Sequence, residues 1–333
     1  MNKTAIKLLR DVMKGKTGET VTITYDSGSD TNFVNSLFRE ADQLKMKVVL
    51  AKNNSAPFAG KSIEPFIAVD AISNLVKNSD LWIELNQNWL IYSSVYENAI
   101  SSGRTRYICL VGMTMEVADR CIGSVNIQKT FEFQDKLSSI TAKAKAMQYT
   151  TPAGTDIEFR NNPSRPVLTE GNVNGPGEYM LLGQVDWAPI ENSINGVIVF
   201  DGSVNPPYEL GLIKNPIKLI ISNGEVIDIK GGPESEVYSK WLKSLNDDNM
   251  YKLAHLSYGC NTGARMSGNV VEDERLWGIL EWGLGNQSDS FKAAGIKAVS
   301  HSDGLTLNPT LLADGETILE NGKYVHKDLI NII

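Results

Sequence analysis

Short apolar runs alternate with amphipathic segments through the first third of the chain. The apolar, strand-like runs lie at 21–25, 47–51, 80–85 and 106–112. Between them, apolar residues recur about every four positions, which predicts amphipathic helices near 31–44, 65–76 and 92–102. This strand–helix alternation predicts a parallel sheet covered by helices on both faces.

The pattern changes near residue 150, where Gly, Asn and Pro become frequent. Apolar runs there are short and bounded by turns, at 157–159, 196–202, 217–222 and 225–232. Asn223-Gly224 between the last two runs predicts a β-hairpin. Helices are predicted at 127–148 and 234–246. We therefore predict a Rossmann-like α/β domain over 1–149 and a β-rich α+β catalytic domain over 150–333.

Composition narrows the possible environments and partners. A net charge of −7 and a pI near 5.2 argue against nucleic acid or an anionic membrane surface as partners, since both require clustered Lys and Arg. The sequence contains no secretory signal pattern and no apolar run of membrane-spanning length. Its three scattered cysteines form no disulfide or zinc pattern. A cytoplasmic protein is the resulting expectation.

The segment 26–32, which follows the first predicted strand, has the polar composition of a phosphate-binding loop. It lacks both the GxGxxG and the GxxxxGK[ST] spacing. A turn followed by a helix is the favoured interpretation, with Asp30 or Thr31 as the helix N-cap.

The candidate chemistry lies in the last 80 residues, which hold all three histidines. His301 and Asp303 are two positions apart, and Val299 before them and Leu305 after them predict an extended stretch, so their side chains are expected on one face of a strand. His255 could supply a third ligand to the same ion. Two imidazoles and one carboxylate leave coordination positions open, as a non-haem Fe(II) site requires. His326 receives no role.

A structural interpretation of these residues remains open. Most His–carboxylate pairs in proteins are structural, so His301 and Asp303 could be a hydrogen-bonded pair at a strand edge. His255, within an apolar stretch, could be a core histidine with its hydrogen bonds satisfied.

The second half of the chain resembles the aminopeptidase T superfamily of metallo-aminopeptidases. The resembling segments occur in the same order, at 150–159, 183–203, 253–265, 272–286 and 301–323. The peptidases carry a metal-binding Glu where this chain has Gln184, a second Glu where it has His255, and a His where it has Glu281. Only His301 and Asp303 match directly. Gln184 is neutral and therefore a poor bridge between two metal ions.

The altered pattern is similar to a divergent branch of that superfamily, the 2,5-dihydroxypyridine 5,6-dioxygenases. The resemblance implies one Fe(II) held by His255, His301 and Asp303. It also implies a small hydroxylated aromatic ring and O₂ as substrates, and a homo-oligomer. Glu281 is then a candidate catalytic or ligand-orienting residue, or else an exposed helix residue. Trp187, Tyr258 and Trp282 are candidates for an aromatic pocket, or else core residues.

Three functions remain open on the sequence alone. The first is a ring-cleaving dioxygenase that uses Fe(II). The second is a metallo-aminopeptidase that uses Zn²⁺ or Co²⁺, against which Gln184 and His255 count. The third is a non-catalytic binding protein without a metal, which the presence of a three-ligand set makes less attractive.

Overall fold

The computed structural model describes residues 2–57 and 59–333. Its α-helices are α1 Lys3–Ile6, α2 Thr31–Gln43, α3 Val69–Val76, α4 Ser94–Ser101, α5 Met115–Ala118, α6 Ile127–Lys143, α7 Pro233–Ser244 and α8 Val270–Asp273. Its strands are β1 Thr20–Tyr25, β2 Lys47–Lys52, β3 Leu81–Glu84, β4 Arg106–Cys109, β5 Ala146–Thr150, β6 Asp156–Arg160, β7 Leu168–Thr169, β8 Gly177–Tyr179, β9 Gln184–Trp187, β10 Asn195–Phe200, β11 Ser203–Asn205, β12 Gly211–Leu212, β13 Ile217–Ser222, β14 Glu225–Gly231, β15 Leu253–Gly259, β16 Leu280–Gly285, β17 His301–Thr306, β18 Thr310–Ala313, β19 Glu316–Glu320 and β20 Lys323–Tyr324.

Short π- and 3₁₀-helical segments complete the secondary structure. The π-helical segments are Lys7–Val12 and Asp119–Gly123. The 3₁₀ segments are Gly60–Phe66, Glu191–Ser193, Asp248–Tyr251 and Asp289–Phe291. The chain forms two compact units, one of Met1–Ile127 with Glu170–Leu182 and the other of Gln128–Thr169 with Gly183–Ile333.

The first unit contains the parallel sheet that the alternating pattern predicts. Its strand order is β2-β1-β3-β4-β8, and every neighbouring pair is parallel. Asp30 caps α2 by accepting hydrogen bonds from the backbone N–H groups of Asn32 and Phe33, which confirms the cap interpretation of the segment after β1. The helix predicted over 65–76 is shorter, because Ile67 is extended between the 3₁₀ segment and α3.

The second unit consists of two antiparallel sheets. Their strand orders are β14-β13-β10-β6-β5-β18-β19-β20 and β12-β11-β17-β16-β15-β9-β7. The predicted hairpin at Asn223-Gly224 joins β13 and β14. One apolar core takes side chains from both sheets, and a hydrogen bond of 2.6 Å from Trp282 Nε1 to Tyr149 Oη links the two sheets within it. The α/β and β-rich fold class predicted from the sequence is therefore confirmed.

The helix predicted over 127–148 is too long. It ends at Lys143, and residues 146–150 form β5 between β6 and β18. The Asp314 carboxylate accepts hydrogen bonds from the backbone N–H groups of Lys145 and Ala146, where the chain changes from helix to strand. The boundary predicted at residues 149–150 lies within the stretch Gln128–Thr169, all of which belongs to the second unit.

The described residues include no helix that is both long and apolar enough to cross a membrane.

A buried carboxyl group lies at the carboxyl end of the parallel sheet. Glu84, the last residue of β3, has no solvent exposure. Its Oε1 accepts a hydrogen bond of 2.6 Å from Leu90 N–H, and its Oε2 is hydrogen-bonded to the Tyr107 hydroxyl. Burial raises the pKa of Glu84 to about 8, so its neutral form predominates in the folded protein near pH 7.

We expect Glu84→Gln to flatten the pH dependence of stability between about pH 5 and pH 8. In that range the unfolded chain releases a proton that folded Glu84 retains, so stability should fall as pH rises, by at most about 1.4 kcal/mol per pH unit. Glutamine keeps an acceptor for Leu90 N–H and a donor toward Tyr107 Oη. Urea unfolding at pH 5.5 and 7.5 measures the effect, with the exposed Glu97→Gln as control. Equal pH slopes in Glu84→Gln and the unsubstituted chain would contradict the expectation.

Candidate metal centre

The seven-stranded sheet has an apolar face and a polar face. Side chains opposite each other in antiparallel pairs share a face, so the strand registers define both sets. The apolar face carries Val185, Trp187, Leu256, Tyr258, Leu280, Trp282 and Leu284 into the core. The opposite face carries a continuous polar group, namely Gln184, Asp186, Asn205, His255, Ser257, Glu281, His301 and Asp303.

A β-bulge brings His255 to the polar face. Leu253 pairs with Leu284 and His255 pairs with Gly283, so β15 carries one extra residue between these two pairs. Because of this extra residue, Leu253 and Leu256 both enter the core while His255 faces the opposite side. Buried Gln287 supports the bulge, as its Nε2 donates a 2.7 Å hydrogen bond to the carbonyl of Ala254.

Three donor atoms from two non-adjacent strands meet on the polar face. His255 Nε2 lies 3.1 Å from His301 Nε2 and 3.5 Å from Asp303 Oδ1. His301 Nε2 lies 2.8 Å from the same Asp303 oxygen. The side chains of His255, His301 and Asp303 are 12%, 24% and 14% exposed, so the cluster is partly open to solvent.

The two imidazoles are oriented in different ways. His301 Nδ1 donates to the backbone carbonyl of Asn286 at 2.8 Å, so in the neutral imidazole the lone pair lies on Nε2, the atom that faces the cluster. His255 Nδ1 is buried and has no hydrogen-bond partner among the described residues. The His255 ring instead packs against the rings of His301, at 5.1 Å, and Phe291, at 5.4 Å, as measured between ring centroids.

The charges of the cluster depend on one another. Burial alone would raise the pKa of Asp303, but the neighbouring imidazoles of His301 and His255 hold it well below its usual range. Burial likewise opposes a positive charge on His301, but the Asp303 carboxylate raises the pKa of that imidazole. Burial lowers the pKa of His255. The metal-free cluster therefore combines one carboxylate with a proton-binding imidazole, the charge arrangement that a cation would replace.

Glu281 lies on the same polar face, fully buried beside the cluster. Its Oε2 accepts hydrogen bonds from Gln184 Nε2 at 2.7 Å and from the Ser257 hydroxyl. Its Oε1 lies 3.7 Å from His255 Nε2 and has no hydrogen-bond partner in the described part of the chain. Burial, together with the negative charge of Asp303, raises the pKa of Glu281 well above its ordinary value. Both effects favour the neutral form of Glu281 in the metal-free cluster.

An acidic cluster overlaps the histidine cluster. Carboxylate oxygens of Glu274, Glu281 and Asp303 lie within 4.8 Å of one another. Glu274 is paired with Arg275, and burial raises the pKa of Glu274 to about 7. Near neutral pH, protons on its carboxyl groups and the guanidinium of Arg275 therefore reduce the negative charge of this acidic cluster.

The sequence-predicted residues fall into two groups. His255, His301 and Asp303 come together, with Glu281 next to them in a strand and not in an exposed helix. Trp187, Tyr258 and Trp282 lie on the opposite face, within the core, so the core interpretation is confirmed.

His326 is bonded to Glu316, with 3.2 Å between Nε2 and Oε2. Sequence reasoning missed the parts played by Asn205, Ser257, Phe291 and Gly283. Strand register brings Asn205, Ser257 and Gly283 to the cluster, and it is not readable from spacing along the chain.

Comparisons with known proteins agree with this architecture. The family model of NicX, 2,5-dihydroxypyridine 5,6-dioxygenase, matches residues 6–326. A 2,5-dihydroxypyridine 5,6-dioxygenase of Pseudomonas putida KT2440 is 24% identical over 257 residues, which cover 74% of this chain and 71% of that protein.

Two solved structures share the fold. The 2,5-dihydroxypyridine dioxygenase from Pseudomonas putida KT2440 matches with a TM-score of 0.80 and 18% identity, covering 98% of both chains. Wild-type AmpT from Thermus thermophilus matches with a TM-score of 0.69 and 12% identity, covering 97% of this chain and 98% of that one. Because the family model spans nearly the whole sequence, the chain belongs to the NicX 2,5-dihydroxypyridine 5,6-dioxygenase family, which is structurally related to the AmpT aminopeptidase.

Proposed function

We propose that the chain is a ring-cleaving dioxygenase that holds one Fe(II) with His255, His301 and Asp303 and opens a hydroxylated pyridine ring. The observation that carries the proposal is the convergence of two imidazole nitrogens and one carboxylate oxygen within 3.5 Å of one another. Family membership supplies the substrate class, since the matching family is described by its action on 2,5-dihydroxypyridine.

The donor spacing suits a single ion. Donor atoms that share one ion at bonds of about 2.1 Å lie roughly 3.0 Å apart in neighbouring octahedral positions and roughly 3.4 Å apart in tetrahedral ones. The three separations in the cluster, 2.8, 3.1 and 3.5 Å, span these values. Two imidazoles with one carboxylate form the facial set that leaves positions for a substrate and O₂ on non-haem iron.

Gly283 provides the space in which the donor atoms meet. A Cβ atom at this position would lie 2.2 Å from His255 Nε2 and 2.8 Å from His301 Cε1. Gly283 pairs with both His255 and Asp303, so it lies between two of the proposed ligands on the central strand. The absence of a side chain there leaves room for the His255 imidazole among the proposed ligands.

Bound Fe(II) would supply a redox-active centre at which ring electrons reduce O₂. The chain's own residues would orient the two imidazole ligands and supply a proton to the substrate. Asn286 fixes the His301 ring through its backbone carbonyl, and Phe291 covers one face of His255. Glu281, the proposed catalytic acid, holds a proton at Oε1 beside the donor atoms, where it can be exchanged with a substrate oxygen.

One observation keeps an aminopeptidase as the second candidate. The overlapping acidic cluster of Glu274, Glu281 and Asp303 is compatible with a two-metal site. Against it, Glu281 already receives two hydrogen bonds at Oε2, and Glu274 is paired with Arg275.

Metal analysis and two assays separate the candidates. The chain is purified anaerobically and its metals are quantified. O₂ uptake is then followed with a panel of hydroxypyridines, and leucine release with a leucyl anilide. Iron with hydroxypyridine-dependent O₂ uptake supports the dioxygenase. Zinc or cobalt with leucine release supports the peptidase, and a chain that binds no metal under any loading condition would contradict both.

We expect His301→Ala to abolish iron binding and to lower O₂ uptake by on the order of 100-fold or more, since three protein ligands leave no redundancy. His326→Ala is the matched control, because its imidazole is bonded to Glu316 and takes no part in the cluster. Iron content and O₂ uptake are measured on both variants. Full activity in His301→Ala would exclude this site.

We expect Gly283→Ala to reduce bound iron from about one ion per chain to near zero while the fold is retained, because the added methyl group occupies the point where the donor atoms meet. Gly175→Ala is the control, since a Cβ there meets no atom within 4 Å. Metal analysis and circular dichroism report the result. Normal iron content in folded Gly283→Ala would show that the ion binds elsewhere.

We expect Glu281→Gln to retain iron and to lower kcat by on the order of 100-fold, since the amide preserves the bonds from Gln184 and Ser257 but cannot transfer a proton. Glu316→Gln serves as the control for loss of a carboxyl group remote from the cluster. Turnover is measured under saturating substrate. An unchanged kcat would remove Glu281 from the proposed chemistry.

A further inference from the structure

Asn205 occupies the same row of the sheet as the proposed ligands. It is the last residue of β11 and pairs directly with Asp303 of β17. Gly283 pairs with Asp303 on the other side and with His255 beyond it, so the row reads His255, Gly283, Asp303, Asn205. Opposite residues of an antiparallel pair have Cβ atoms about 4.5–5.5 Å apart, which brings Asn205 to the edge of the donor cluster.

The neighbouring residues fix which face Asn205 occupies. Val204 has no solvent exposure and lies in the core, opposite Gly304 of β17. A Cβ atom on Gly304 would lie 2.3 Å from the Phe200 ring, so this pair is on the apolar face. Since alternate residues of a strand face opposite sides, Asn205 faces the polar side with His301 and Asp303.

The backbone next to Asn205 is anchored from the core. The Ser302 hydroxyl donates a 2.6 Å hydrogen bond to the carbonyl of Pro206, and the Tyr238 hydroxyl donates to Ser302 Oγ at 3.2 Å. These hydrogen bonds hold the backbone next to Asn205 in place. A residue that recognises a ligand by hydrogen bonds needs such support, because its polar atoms must be held at fixed positions.

The carboxamide lacks the partner that its burial requires. Asn205 Oδ1 is buried, yet it has no hydrogen-bond partner in the described part of the chain. A buried acceptor without a donor costs free energy, and such groups in folded proteins are usually satisfied by a ligand or by water. The atom is therefore available to a donor that enters the site.

We propose that Asn205 is a specificity-determining residue that recognises the lactam edge of the substrate ring. This inference rests on the proposed function. A 2-hydroxypyridine exchanges with its 2-pyridone form, in which a ring N–H adjoins a carbonyl group. The carboxamide offers the matching pair, since Oδ1 accepts from the N–H and Nδ2 donates to the carbonyl. Two such hydrogen bonds together recognise a ring edge that presents one donor and one acceptor.

Recognition of the lactam would separate pyridines from benzenes. A dihydroxybenzene has a C–H where the pyridone has its N–H, so it would leave Asn205 Oδ1 unsatisfied in the complex. Sites built to hydrogen-bond a substrate group reject analogues that lack it, because the buried partner then remains unpaired. Asn205 would accordingly select the nitrogen heterocycle, while the metal ligands would act on either ring.

The test compares two ligands in three forms of the iron-loaded protein. The ligands are 5-hydroxy-2-pyridone and its N-methyl derivative, whose ring nitrogen cannot donate. The proteins are the unsubstituted chain, Asn205→Ala, and the control Asn215→Ala, which alters an exposed asparagine hydrogen-bonded to Glu234. Anaerobic titration gives Kd, turnover in O₂ gives kcat and KM, and iron is quantified in every sample.

We expect the unsubstituted chain and Asn215→Ala to favour the N–H ligand by on the order of 10- to 100-fold in both Kd and kcat/KM. In Asn205→Ala that ratio should fall to about 1, with unchanged iron content. If Asn205 had a purely structural role, its substitution would weaken the binding of both ligands equally and leave the ratio between them unchanged.

The outcomes distinguish a failure of the assignment of Asn205 from a failure of the proposed dioxygenase function. Turnover by the unsubstituted chain with an unaltered ratio in Asn205→Ala would overturn the assignment of Asn205 and leave the dioxygenase standing. No binding and no turnover of 5-hydroxy-2-pyridone by the iron-loaded unsubstituted chain would overturn the proposed function, and the assignment of Asn205 with it.

Discussion

The register of four neighbouring strands is the constraint on which the site depends. His255, Gly283, Asp303 and Asn205 come from strands far apart in sequence, yet the antiparallel pairing sets them in one row. A shift of one residue in any of these strands would turn its polar side chain into the core and an apolar one outward. The fold therefore specifies the site through the packing of the opposite face, where Leu256 and Trp282 lock the register.

The bulge in β15 allows one strand to supply side chains to both the core and the proposed metal site. Without it, strict alternation from Leu253 would bring residue 255 to the core face, together with Leu253 itself. The extra residue lets the core take Leu253 and Leu256 and lets the polar face take His255. Gln287 secures this irregular stretch by bonding the Ala254 carbonyl. The site thus depends on a hydrogen bond from a residue that contacts none of the donor atoms.

Sequence reasoning predicted the alternating first unit because local patterns report local structure. The strands β1 to β4, the hairpin at Asn223-Gly224 and the shared face of His301 and Asp303 all follow from spacing within a few residues. The end of α6 was missed because it depends on Asp314, more than 160 residues away. Phe291 and Asn205 were missed for the same reason, since ring packing and strand pairing join residues that are remote in sequence.

The charge of the proposed donor set favours a single ion. Gln184 is neutral, burial and the charge of Asp303 favour the neutral form of Glu281, and Asp303 supplies the negative charge of the donor set. A divalent ion held by Asp303 and two imidazoles would retain a net positive charge, which favours an anionic oxygen such as a deprotonated ring hydroxyl. Additional charged carboxylates would cancel that attraction and favour a second cation. An amide at Gln184 and a protonated Glu281 would therefore favour one ion with a ring bound to it over two ions with a bridging water.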